Sequence, residues 1–82
     1  MRVKIPKEDW SSILRWYGAK DEEDLMMKLG YIPRGFGYER RFPCKIYARK
    51  EDLSDSIKIV ELESHLELEF RRSELKEVLG LK

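Results

Sequence analysis

Asparagine, glutamine and threonine do not occur in this chain, and cysteine occurs once, as Cys44. A lone cysteine cannot close an internal disulfide, so nothing points to an oxidising, secretory setting. No apolar run approaches the roughly 18 residues of a membrane-spanning helix. The N-terminal residues already read as a foldable segment, so neither a signal peptide nor a membrane partner is expected. Net charge is nearly absent as well: 17 Lys and Arg stand against 16 Asp and Glu, a formal +1. That balance argues against bulk binding of polyanions. Missing amides combined with a 40% charged fraction are the pattern of heat-adapted proteins. They imply a thermophilic, archaeal, cytoplasmic protein.

The 82 residues are expected to form a single globular domain spanning 1–82. A chain this short buries roughly 60–65% of its unfolded surface, which leaves little room for a deep pocket. "RVKI" near the N-terminus alternates like a short strand. Pro6 then suits a first helical turn, where its missing N–H costs nothing. Trp10, Ile13, Leu14 and Tyr17 recur at helical spacing, and Gly18 stops the run. Asp21 caps a second helix whose apolar side is Leu25, Met26 and Leu29, closed by Gly30. Glycine and proline at 30, 33, 35 and 37 mark residues 31–39 as a turn region.

Beyond it the pattern is sheet. Phe42, Cys44, Ile46 and Ala48 alternate with polar neighbours and read as the inward row of a strand. Pro43 suggests an edge or a bulge there. Val60, Leu62, Leu66, Leu68 and Phe70 alternate with Glu61, Glu63, His65, Glu67 and Glu69, as one long strand or a hairpin turning near Ser64. A three-residue loop over Glu63 to His65 keeps all the apolar residues on one face, whereas a two-residue loop flips half of them. Ser73 caps a last short helix carrying Leu75, Val78 and Leu79. The expected fold is α+β: two N-terminal helices and a short C-terminal helix on one face of a three- to four-stranded antiparallel sheet.

The segment "RGFGYERRF" carries the functional signal. Arg34-Gly35-Phe36-Gly37-Tyr38 resembles the first half of the octapeptide by which RNA-recognition-motif domains stack bases. Glu39 then stands where a branched apolar residue belongs, Arg41 where the last aromatic belongs, and Phe42 comes one place late. "RVKIPK" has no aromatic to serve as the partner motif, and two helices precede the segment where that family has a helix and a strand. The family assignment is therefore rejected. What survives is looser. Arg34, Phe36, Tyr38, Arg40, Arg41, Lys45 and Arg49 offer cations for phosphates and rings for unstacked bases, and they form the candidate nucleic-acid-binding set.

Charge is segregated along the chain. Residues 34–50 hold six Lys and Arg against one Glu, while residues 51–69 hold seven Asp and Glu against one Lys. If the two segments form neighbouring strands, the rows meet as cross-strand ion pairs and the basic patch is neutralised. If not, the basic face is free for RNA, for a ribonucleoprotein surface or for an acidic protein.

Other chemistry is thinly represented. His65 with its flanking glutamates lacks the further ligands a closed metal site needs, so no metal is expected. Cys44 and His65 are the only nucleophilic dyad available, and their alternation sets them on opposite faces. No phosphate-cradling Gly-Lys-Ser/Thr stretch exists. The chain is therefore read as non-catalytic, with no cofactor. A helix-turn-helix reading would lead Asp21, Glu22, Glu23 and Asp24 toward DNA phosphates, which repel them.

An alternative is a protein–protein adaptor or inhibitor. "WSSILRWY" resembles the peptide that partners insert into the DNA sliding clamp, with Ile13 as the aliphatic plug and Trp16 and Tyr17 as the aromatic pair. Trp10 stands where that family has glutamine. Trp16 falls off the core stripe and is the partner-contact candidate. A strand edge also offers a route to homodimerisation.

Overall fold

The computed structural model describes residues 2–71. Strand β1 (Arg2–Pro6) runs directly into helix α1 (Lys7–Trp16), and helix α2 (Glu22–Lys28) follows. Strands β2 (Tyr31–Glu39), β3 (Phe42–Arg49), β4 (Ser56–Glu61) and β5 (His65–Phe70) complete the described chain.

Local chemistry sets the boundaries. Pro6 ends β1 and holds the N-cap position of α1, with Glu8 and Asp9 in the first turn toward the positive helix end. Gly18 takes the left-handed conformation at φ 66°. It lets the Ala19 and Gly18 N–H groups return to the carbonyls of Leu14 and Arg15 at 2.9 and 3.1 Å, which satisfies two of the last helical acceptors. At α2 the Asp21 carboxylate accepts the Asp24 N–H at 2.8 Å, and Asp24 accepts the Lys20 N–H at 2.9 Å. Asp21 and Asp24 are therefore occupied in capping.

The sheet is antiparallel, with strand order β1-β5-β4-β3-β2. Trp10, Leu25 and Met26 of the helices join Ile5, Tyr31, Tyr47, Ile57, Ile59, Leu66, Leu68 and Phe70 in one buried cluster. The helices thus cover one face of the sheet.

Three expectations are corrected. The sheet has five strands, not three to four, and the described residues are mostly sheet, with two helices. The extra strand is β2, because residues 31–39 are not a turn. Gly35 and Gly37 pair with Ile46 and Cys44, and a bulge between Pro33 and Gly35 absorbs the proline. The expected helix from Ser73 lies outside the described residues.

Second, the β4–β5 loop has two residues, Glu63 and Ser64, between Leu62 and His65, whose backbone bond is 2.9 Å. Ile59 pairs with Leu68 and Val60 with Glu67. Val60 therefore lies on the opposite face from Leu66, Leu68 and Phe70. Third, the inward row of β3 is Lys45, Tyr47 and Arg49. Tyr47 pairs with Ile57 in the helix-side core, whereas Cys44 pairs with Val60 on the second face. That second face is itself buried at Cys44, Ala48 and Val60, so β3 carries buried side chains on both faces, Tyr47 on one and Cys44 and Ala48 on the other.

Candidate nucleic-acid interface

Phe36 and Tyr38 occupy alternate positions of β2, so both project to one face. This is the helix-side face, where Phe36 lies opposite Lys45 and Tyr38 opposite Pro43. Here β2 has run past the helices, which pack near its other end at Tyr31. The two rings remain 63% and 71% exposed. Their centroids are 5.5 Å apart with the planes at 75°, an edge-to-face pair. Gly35 and Gly37 between them leave the other face of the strand without side chains.

The turn joining β2 to β3 is Arg40-Arg41, with φ 52° and 72°. Two left-handed residues in a two-residue hairpin loop ordinarily call for asparagine and glycine. Two arginines there accept backbone strain, and both are exposed. A strained turn made from cations is a site feature that sequence inspection alone does not give.

The basic segment is divided. Arg49 sits at the far end of the hairpin, opposite Tyr31. Its Nε donates to the buried Asp55 carboxylate at 2.8 Å, and its guanidinium lies 4.9 Å above the Tyr31 ring. Its pKa is raised first by the hydrogen bond to Asp55. Arg40 donates to Glu67 at 2.7 Å. Arg34, Arg41 and Lys45 are exposed and have no ion pair among the described residues.

Topology explains that division. β3 neighbours β2 and β4, while β5 lies between β1 and β4. The glutamates are therefore met largely from elsewhere: Glu69 by Arg2 at 2.9 Å and Lys58 at 3.7 Å, and Glu61 by Lys7 at 3.8 Å. Lys58 also holds Glu39 at 2.8 Å. The hydrogen bond from Arg2 is the main reason the Glu69 carboxyl lies below its ordinary range, and Lys58 does the same for Glu39.

The remaining candidates are placed apart from this patch. Trp16, 84% exposed, ends α1 outside the core cluster. Cys44 and His65 share the second face, not opposite faces, because of the two-residue β4–β5 loop. β4 separates them, and burial pushes the Cys44 thiol up, away from thiolate chemistry. His65 Nδ1 lies 3.1 Å from the Ser64 hydroxyl. No group of three metal-ligating side chains occurs among the described residues.

Sequence inspection missed a groove of about 380 Å³ bordered by Lys7, Trp10, Glu22, Lys45 and Glu61. Its residues come from both helices, β3 and β4, so no local spacing announces it. The Tyr47 hydroxyl donates to Glu22 at 2.8 Å. Burial chiefly holds the Glu22 carboxyl above its ordinary range, and burial followed by the Glu22 carboxylate raises the Tyr47 hydroxyl. Lys45 therefore stands between this groove and the exposed rings.

No protein-family model matches the chain. Neither a curated protein nor a solved structure matches it.

Proposed function

We propose that this domain is a non-catalytic module that binds single-stranded RNA, free or displayed on a ribonucleoprotein surface, through the β2–β3 hairpin. The observation that carries the reading is the exposure of Phe36 and Tyr38 on one strand face, with Lys45 directly across from Phe36. Bases stack on aromatic faces, and cations beside the rings follow the phosphates. Arg34 and Arg41 supply those cations at the two ends of the ring pair. Arg49 is excluded from the set by its bond to Asp55, and Arg40 contributes only as far as Glu67 releases it.

Anisotropy titrations with a short labelled single-stranded RNA at two salt concentrations test this. Phe36→Ala and Tyr38→Ala are each expected to weaken binding by about 1–3 kcal/mol, the usual worth of one stacked base. Lys45→Ala is expected to reduce the slope of log affinity against log salt by about 0.7. Binding that ignores salt, or that survives loss of both rings, would sink the reading.

A second effect belongs to the turn. Arg41→Gly is expected to raise stability by about 1 kcal/mol, since glycine adopts the left-handed region without strain. The same variant should bind RNA less well. A loss of stability on thermal melting would show that Arg41 serves the fold instead.

The alternative, an adaptor for a protein partner, is favoured by Trp16 alone, an indole 84% exposed at the end of α1. Under that reading Trp16→Ala abolishes partner capture and leaves RNA titrations unchanged.

A further inference from the structure

The two edges of the sheet are treated differently. β1 alternates Arg2 and Lys4 along its five residues and ends in Pro6, the charges and proline that keep an edge from pairing with another chain. β2 is nine residues long and has Pro33 and a bulge only in its first half. Among the described residues no strand pairs with the outer side of β2, and from Gly35 to Tyr38 this edge carries no charge, no proline and no irregularity. A strand of this kind has a row of backbone N–H and C=O groups available to a further strand.

We propose that β2 pairs antiparallel with β2 of a second copy of this chain, about a twofold axis at Gly37, giving a continuous ten-stranded sheet. The sequence around that axis is self-complementary. Phe36 of one copy faces Tyr38 of the other, twice over, and Gly37 faces Gly37. Aromatic pairs directly across two strands are among the favourable cross-strand contacts. Facing glycines let the backbones meet without side-chain interference. An unrelated extended peptide lacks this matched pattern, and β1 of another copy has no aromatic residue to set against Phe36 or Tyr38. A twofold contact also closes on itself, whereas β1-to-β2 pairing propagates into a filament. The dimer rests on the strand edge and not on RNA binding, but it sets the ring pairs of both copies in one row.

Gly37 supplies the test. A Cβ at this position meets nothing within 4 Å inside the protomer, so substitutions there leave the fold intact, as circular dichroism would verify. Its side-chain direction is opposite to that of Phe36 and Tyr38, so the rings are untouched. Sedimentation velocity of the full chain is expected to show a species of twice the 9.9 kDa chain mass. Gly37→Lys sets two ammonium groups against each other on the axis and is expected to raise the dissociation constant at least about tenfold. Gly37→Cys is expected to give a disulfide-linked dimer on oxidation, because facing Cα atoms of an antiparallel pair lie about 4.5–5.5 Å apart, within the span of a disulfide. That variant is made with Cys44→Ala, since Cys44 lies opposite Gly37 in β3 and competes for it. A monomer at every concentration overturns the proposal. So does a dimer that Gly37→Lys leaves unchanged, or one in which the cysteines fail to cross-link. RNA titration of the parent chain below and above its dimer dissociation constant separates the two readings, because the rings and cations are the same in both states.

Discussion

Leu68→Ala is expected to lower the unfolding free energy by about 3–5 kcal/mol, the upper part of the range for a buried leucine. Leu68 is fully enclosed, with 0% exposure. It lies on β5, between Val3 of β1 and Ile59 of β4, inside the cluster that both helices cover. Neighbours on two sides are held by strand pairing and cannot collapse into the space left behind, so the cavity term adds to the lost transfer energy. An 82-residue domain has on the order of 4–12 kcal/mol in total, so this one truncation can remove a large part of it. Guanidinium titration should show a lower midpoint at unchanged slope. Leu53, 52% exposed in the β3–β4 turn, provides the contrast. Leu53→Ala should cost less than about 1 kcal/mol. Similar losses for the two would mean that the β5 core does not carry the stability assigned to it.

Helix positions were legible because their signals are local. The Trp10, Ile13, Leu14, Tyr17 spacing, the Gly18 stop and the Asp21 cap all act within a turn or two of chain. The sheet was harder, because alternation says which residues share a face and not which face is covered by helices. In β3 the apolar row of Cys44, Ile46 and Ala48 looked inward, yet the helix side is taken by Tyr47, whose hydroxyl reaches Glu22. The register of β4 against β5 turned on one loop residue, and that choice relocated Val60 and Glu61 together. Glycines at 35 and 37 gave a turn reading, although an edge strand tolerates them where no neighbour must pack on its outer side. For the candidate site, the exposed rings were legible as a composition and not as a geometry. Arg34, Arg41 and Lys45 could not be told from Arg40 by sequence, because Glu67 lies on a strand brought near only by tertiary pairing, nor from Arg49, because spacing does not say which nearby acid the β3–β4 turn folds inward.

Asp55→Ala should cost about 2–4 kcal/mol, through a polar network and not a cavity. The Asp55 carboxylate, only 2% exposed, accepts the Tyr31 hydroxyl at 2.9 Å and the Arg49 Nε–H at 2.8 Å. Its carbonyl also accepts the Arg49 backbone N–H at 2.9 Å. One residue thus ties the start of β2, the end of β3 and the turn before β4. Truncation leaves a buried hydroxyl and a guanidinium without their acceptor. The Arg49 side chain is 33% exposed and recovers part of its solvation, which holds the loss below that of a fully buried pair. Asp55→Asn, which keeps one acceptor, should lose about half as much. A spectroscopic signature accompanies the change. The Tyr31 hydroxyl is pushed up to about 12, first by burial and then by Asp55. A tyrosine raised in the folded state stabilises the fold fully below its unfolded pKa of about 10. That contribution disappears as pH rises through the folded value. Tyrosinate absorbance in Asp55→Ala should therefore develop at lower pH than in the parent, and alkaline destabilisation should be weaker. RNA affinity should not fall, because Arg49 and Tyr31 lie at the opposite end of the hairpin from Phe36 and Tyr38. A folded variant that bound RNA more tightly than the parent would place the released Arg49 back among the phosphate contacts.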